Sequence, residues 1–175
     1  MKVFILEDLE EDQLKKFIEF SNANWDDEQW IIFIDSSGGS VWIAETILNI
    51  LNKKALEQKN SIVTLHIARA YSCAFSIAFR FKGNINILDS SRGMYHLSSF
   101  KDEQFSNNKH SRINEGNYSQ MIKDSMLDVY KDTLQFASLF MTLKELQMYK
   151  KGKQIFFSSE RMKEIAKKLK INLVS

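Results

Sequence analysis

Trp30-Ile31-Ile32-Phe33-Ile34 is apolar at every position, so neither of its faces suits water. It reads as a buried strand, the condition of a parallel sheet covered by helices. Lys2 to Leu6 and Ile62-Val63-Thr64-Leu65-His66-Ile67 read as further strands. Ile85-Asn86-Ile87-Leu88 and Met94-Tyr95-His96 read as two brief ones. Helical spacing separates them. Leu14, Phe17 and Ile18 share a face in residues 12–20, as do the apolar positions of Val41 to Leu51, and Cys73 to Phe81 is largely apolar. Strands alternating with helices predict an α/β domain with right-handed crossovers.

Ser98 to Asn117 breaks this pattern with a long polar stretch. A loop of that length inside a compact domain is usually functional or disordered. Tyr118 to Met141 then runs without Gly or Pro and suits one long helix. Thr142-Leu143-Lys144-Glu145 carries the capping-box signature of another. Four of the seven methionines (121, 126, 141 and 148) fall here, either as a contact surface for another subunit or as filling for the local core. No linker or repeat divides the chain, so residues 1–175 are expected to form one domain.

One cysteine, Cys73, excludes an internal disulfide and a Cys-based zinc site. No metal and no cofactor are expected. Apolar runs are far shorter than the roughly 20 residues of a membrane span, and the N-terminus lacks a signal-peptide pattern. The expectation is a cytoplasmic protein that does not enter membranes. Residues 1–30 hold nine acids against three lysines, whereas residues 150–170 hold eight Lys or Arg against two Glu. Opposite ends could attract neighbouring subunits, or each could be a solvated helix face. No basic patch interleaved with aromatics supports nucleic-acid binding.

The chain has no proline and 6 glycines, against about nine and about twelve at average usage. Two of the six, Gly38 and Gly39, lie between a buried strand and a helix, in Asp35-Ser36-Ser37-Gly38-Gly39-Ser40-Val41. Such a corner is either a plain tight turn or a place where bare N–H groups hold an anion or a developing oxyanion. It has neither the P-loop nor the dinucleotide-site spacing. One strand later, Ser72 opens the apolar helix beside Cys73, as a simple N-cap or as a nucleophile at a helix N-terminus. His96 closes a short strand, either structurally or as a general base. His66 within a strand and His110 in the polar stretch compete poorly with it. Cys73 reads as a small buried hydrophobe before it reads as a nucleophile.

The order and spacing of these segments resemble the Clp protease proteolytic subunit family, in the wider group that shares its fold with enoyl-CoA hydratases. That family's Ser-Pro-Gly-Gly-x-Val turn is echoed by Ser36-Ser37-Gly38-Gly39-Ser40-Val41. Its nucleophile segment is echoed by Ala70-Tyr71-Ser72-Cys73-Ala74, and its Asn-Ser-Arg-x-Met-x-His segment by Ser90-Ser91-Arg92-Gly93-Met94-Tyr95-His96. Phe156-Phe157-Ser158-Ser159-Glu160-Arg161-Met162 echoes a later Phe-Leu-Ser stretch.

The resemblance implies a Clp/crotonase-type spiral of ββα units, with a protruding long handle helix in a region of about 98–151. It implies a serine peptidase hydrolysing peptide bonds of peptides or unfolded proteins. Ser72 would be the nucleophile, His96 the general base, and the backbone amides of Gly38, Gly39 and Cys73 the oxyanion hole. Such subunits form rings or stacked rings of identical copies.

Two departures qualify this. Gln154 stands at the position of the family's acid, and an Asp→Asn change in a serine-protease triad costs about 10⁴ in kcat. A carboxylate from Asp102, Glu103 or Glu115 could replace it; otherwise the chain is an inactive, Clp-protease-like scaffold or partner subunit. The first strand starts at Lys2, leaving no pore-lining extension, so docking to an unfolding ATPase is not expected.

Overall fold

The computed structural model describes residues 1–57, 62–97 and 120–174. The polar segment 98–117, with His110 and the substitute acids Asp102, Glu103 and Glu115, lies outside the described residues, as do the side chains of Met121 and Met126. The contacts fall into two compact units, one of Met1–Tyr95 with Phe156–Ser175 and one of His96–Ile155.

In the first unit, strands and helices alternate in chain order: β1 (Lys2–Leu6), α1 (Glu11–Ala23), β2 (Gln29–Ser36), α2 (Val41–Glu57), β3 (Ile62–Tyr71), α3 (Cys73–Arg80) and β4 (Asn84–Tyr95). The sheet runs β1-β2-β3-β4-β5, where β5 is Ile155–Ser158, and a short β6 (Asn172–Leu173) also pairs with β4. β1 to β4 are parallel and adjacent in sequence order. This is a mixed α/β architecture in which each helix returns the chain to the next strand over. The two brief strands expected near 85–88 and 94–96 are one strand, β4. Its register against β3 slips between Ile87 and Arg92, where Asp89 and Ser90 are exposed and Ser91 is buried.

Coverage of the sheet differs from the expectation of helices on both faces. Trp30, Ile32 and Ile34 are wholly buried against the helical side, whereas Ile31 and Phe33 between them are half-buried. On β1, Val3 and Ile5 are 52% and 58% exposed. Within the first unit the helices between β1 and β4 line one face because every crossover climbs in the same direction, and among the described residues of this unit the second apolar face is partly exposed.

The helical side is anchored by aromatic packing. Phe17 of α1 meets Phe4 of β1 edge-on at 5.2 Å, and Phe20 meets Trp30 at 5.1 Å. Phe75 of α3 stacks on Phe79 at 4.3 Å and packs on Phe157 at 5.2 Å. Burying such a side chain contributes roughly 1.5–3 kcal/mol. Lys54 of α2 is fully buried, yet satisfied: its Nζ donates to the carbonyls of Trp25 and Asp27 and lies over the Trp30 ring at 5.1 Å. α6 (Ser159–Lys168) is capped by Ser158 and packs on β4, where a Cβ on Gly93 would meet Met162 Sδ at 2.6 Å.

The second unit holds α4 (Gln120–Phe140) and α5 (Leu143–Lys150). The expected capping box is formed: Thr142 Oγ1 accepts the Glu145 N–H at 3.2 Å, and Glu145 Oε2 accepts the Thr142 N–H at 2.6 Å. Phe136, Ala137, Phe140, Met141 and Tyr149 are buried, whereas Leu139, Leu143 and Met148 are exposed. The unit thus has a small core and an outward apolar surface, with Met141 and Met148 divided between the two.

Candidate active site

β2 and β3 end side by side, and the chain turns sharply after each. After β3, Ser72 takes φ 55° and ψ −121°, then α3 begins at Cys73. A β-carbon is costly in that region, of order 1–3 kcal/mol per residue, and such backbone strain concentrates at functional sites. Ser72 is not an ordinary cap: its hydroxyl accepts no N–H from the first turn of α3. It points instead to the Cys73 Sγ at 3.9 Å, while the Ser72 N–H donates to Met94 O at 2.8 Å, tying the turn to β4. Strand, strained serine, helix is the arrangement that thrusts a nucleophilic hydroxyl out of the chain.

Gly38 and Gly39 follow β2 with φ +102° and +141°. Gly38 lies directly against the serine: a Cβ there would stand 2.7 Å from Ser72 Cβ, 2.8 Å from Tyr71 O and 3.3 Å from Ser72 Oγ. A Cβ on Gly39 would meet Leu9 O at 2.5 Å. Both positions therefore require glycine for conformation and for space.

The two amides differ. Gly38 is buried and donates its N–H to Ser36 Oγ at 3.1 Å. Gly39 is exposed, and its N–H has no acceptor among the described residues. The Cys73 N–H is one of the first-turn donors of α3 that no preceding carbonyl can satisfy. Burial pushes the Cys73 thiol above its ordinary value, the Ser72 contact opposes this, and Glu45 adds to the rise. At neutral pH the thiol is therefore protonated and carries no thiolate charge.

Charged residues flank the turn. Arg69 Nε donates to Asp35 Oδ1 at 2.8 Å across β3 and β2, and Arg92 is its register partner on β4. The Asp8 carboxylate accepts the Ser37 N–H at 2.7 Å. Asp8 escapes a reading of local sequence, because 29 residues separate it from Ser37.

His96 opens the second unit, immediately after β4. Its Nδ1 lies 2.7 Å from Leu97 O. A carbonyl can only accept, so Nδ1 carries the hydrogen, and in the neutral ring Nε2 is left as the proton acceptor. Gln154 is exposed in the same unit. Among the described residues, no group of three or more His, Cys, Asp or Glu could hold a metal ion. No helix of the described residues is long and apolar enough to cross a membrane.

The fold as a whole matches that of a ClpP1 mutant from Listeria monocytogenes over 99% of this chain and 91% of that one, at a TM-score of 0.65 and 12% identity. This is a Clp-protease-like fold. The ClpP protease catalytic domain from Plasmodium falciparum is similar over 99% of this chain and 85% of its own, at a TM-score of 0.60 and 14% identity. No family pattern matches the sequence, and no curated protein matches it. Within the Clp-protease-like fold, Ser72, Gly38, Gly39 and Cys73 meet at the carboxyl ends of β2 and β3, the edge at which open α/β sheets bind ligands.

Proposed function

We propose that the chain is a serine-type peptidase that hydrolyses peptide bonds. The observation that carries this reading is the backbone of Ser72, held at φ 55° between β3 and α3 with its hydroxyl free of any capping bond. A serine used only to start a helix would accept an N–H from its first turn.

In this reading Ser72 Oγ attacks the substrate carbonyl and passes its proton to His96 Nε2. The negative charge that develops on the carbonyl oxygen is met by the N–H groups of Gly39 and Cys73, with Gly38 shaping the turn against the serine. Loss of a single such donor costs about 10²–10³ in kcat in a comparable enzyme. His96 returns the proton to the departing amine as the C–N bond breaks, and water then hydrolyses the acyl ester by the same route. The Leu97 carbonyl supports the required tautomer but, being neutral, adds no charge to stabilise the imidazolium, and Gln154 at the position of the resembled family's acid adds none either, so slow turnover is expected.

The same bond favours a second reading, a scaffold or partner subunit with little activity. Labelling by a fluorophosphonate separates the two. Modification of Ser72 that vanishes in Ser72→Ala supports the peptidase; a folded, assembled protein that never labels is the scaffold.

We also propose a single domain with the second unit as its handle, assembling into rings of identical copies in the cytoplasm on peptide or unfolded-protein substrates. The partly exposed apolar sheet face and the exposed Leu139, Leu143 and Met148 support association. No ATPase partner is proposed. Mass measurement by light scattering tests the assembly, and a monomer at micromolar concentration would refute it.

A further inference from the structure

The Gly39 N–H can serve an oxyanion only if its peptide plane points the right way, and that plane joins two glycines. Adjacent glycines adopt positive and negative φ with similar ease. Something outside the turn must hold it.

The holding groups come from the connection between β1 and α1. Leu9 N–H donates to Gly38 O at 2.7 Å, and Ser40 N–H donates to Leu9 O at 3.0 Å. Gly38 O and the Gly39 N–H belong to one trans peptide, in which C=O and N–H point in opposite directions. Drawing the carbonyl toward Leu9 therefore turns the N–H away from it. Leu9 is buried and makes a bridge with Gly39, but its bonds to the turn are all from backbone. The only side chain that fastens this connection to the turn, among the described residues, is Asp8, through the Ser37 N–H at 2.7 Å. Ser37 has no ring to fix its φ, so its conformation rests on that bond. The Ser37 hydroxyl first, and then its N–H, lower the Asp8 carboxyl below the ordinary range against a smaller opposing effect of burial, with a lesser pull from Arg69, so the group is charged at neutral pH.

We infer that Asp8 is a positioning residue for the oxyanion turn: its carboxylate, gripping the Ser37 N–H, keeps Leu9 seated on Gly38 and so aims the Gly39 N–H. Asp8 touches no reacting atom. The inference deepens the peptidase reading and rests on it, but the geometry of the turn can be measured independently of catalysis.

The test uses the full chain with Asp8→Ala, Asp8→Asn, Ser37→Pro and the double variant Asp8→Ala/Ser37→Pro. Amide hydrogen exchange over residues 37–40 reports the turn, and the rate of fluorophosphonate labelling reports the aim. Asp8→Ala should raise exchange and slow labelling, each by about tenfold, the scale of one hydrogen bond to a charged group. Asp8→Asn keeps an acceptor oxygen and should recover most of both. Ser37→Pro restrains φ and removes the donor, so adding Asp8→Ala to it should change nothing further.

Unchanged exchange in Asp8→Ala overturns the inference, as does an equal effect of Asp8→Ala with and without Ser37→Pro. If Asp8→Ala does not fold, Asp8→Asn and Ser37→Pro decide on the same criteria. If exchange responds as expected but the parent protein never labels, the peptidase reading has failed and the clamp has not.

Discussion

Gly38 and Ser72, at the ends of neighbouring strands, are packed so closely that a single added carbon on Gly38 would stand 2.7 Å from the Ser72 β-carbon. Gly38→Ala must therefore either displace the serine or reopen the turn, and alanine is also disfavoured at φ +102°. We expect a stability loss of about 1–3 kcal/mol in urea unfolding. Fluorophosphonate labelling of the folded fraction should be lost with it. A variant that labels at the parental rate would contradict the contact.

Ser72 itself sits where glycine is comfortable. Ser72→Gly relieves the strain at φ 55° and removes the hydroxyl. The gain, net of glycine's extra freedom in the unfolded chain, should be about 1 kcal/mol. Ser72→Ala keeps the strain and should not gain. Thermal unfolding of the two variants, side by side with peptide hydrolysis, checks both halves: neither should turn over substrate, and the glycine variant alone should melt higher than the parent.

Burial raises the pKa of Cys73 in the folded chain, so the native state holds that proton more tightly than the unfolded state does. The resulting stability is fully present below about pH 8.5, the ordinary thiol value, and is lost as pH rises through the folded pKa. Unfolding measured from pH 7 to pH 10 should show an alkaline decline that is smaller in Cys73→Ala. A parallel decline in both proteins would assign it elsewhere.

Lys54 closes the loop between α1 and β2 from inside the fold. Lys54→Met keeps the apolar stem but leaves the carbonyls of Trp25 and Asp27 without their donor, for a cost of about 1–3 kcal/mol. The change should appear in the urea midpoint while labelling of Ser72 in the folded protein is unaltered. Equal loss of both would place the Trp25 loop in the site.

How far the sequence leads depends on the range of the interaction. The strand at 30–34, the helix opening at Cys73 and the Thr142–Glu145 capping box are written in residues a few positions apart, and each is found where its pattern lies. β3 continues past Ile67 to Tyr71 for a different reason. Ala68-Arg69-Ala70-Tyr71 has no strand pattern of its own, but Asp35 and Ser36 pair with Arg69 and Ala70 on one side, and Arg92 and Gly93 do so on the other. The one-sided cover of the sheet is likewise a matter of how crossovers wind. At the site, the glycine pair and Ser72 announce themselves locally. The grip of Asp8 on Ser37, 29 positions apart in the chain, arises only once the chain has folded.

β1 is the outermost strand of the sheet, and Val3 and Ile5 project from it into water. One backbone edge there has no partner strand among the described residues. Natural proteins usually blunt such an edge with charge, proline or a bulge, and this strand has only Lys2 within it and Glu7-Asp8 just beyond. That edge is thus a ready template for another strand. Yield on overexpression should fall steeply with protein concentration, and a lysine at Val3 or Ile5 is the simplest way to keep such preparations in solution.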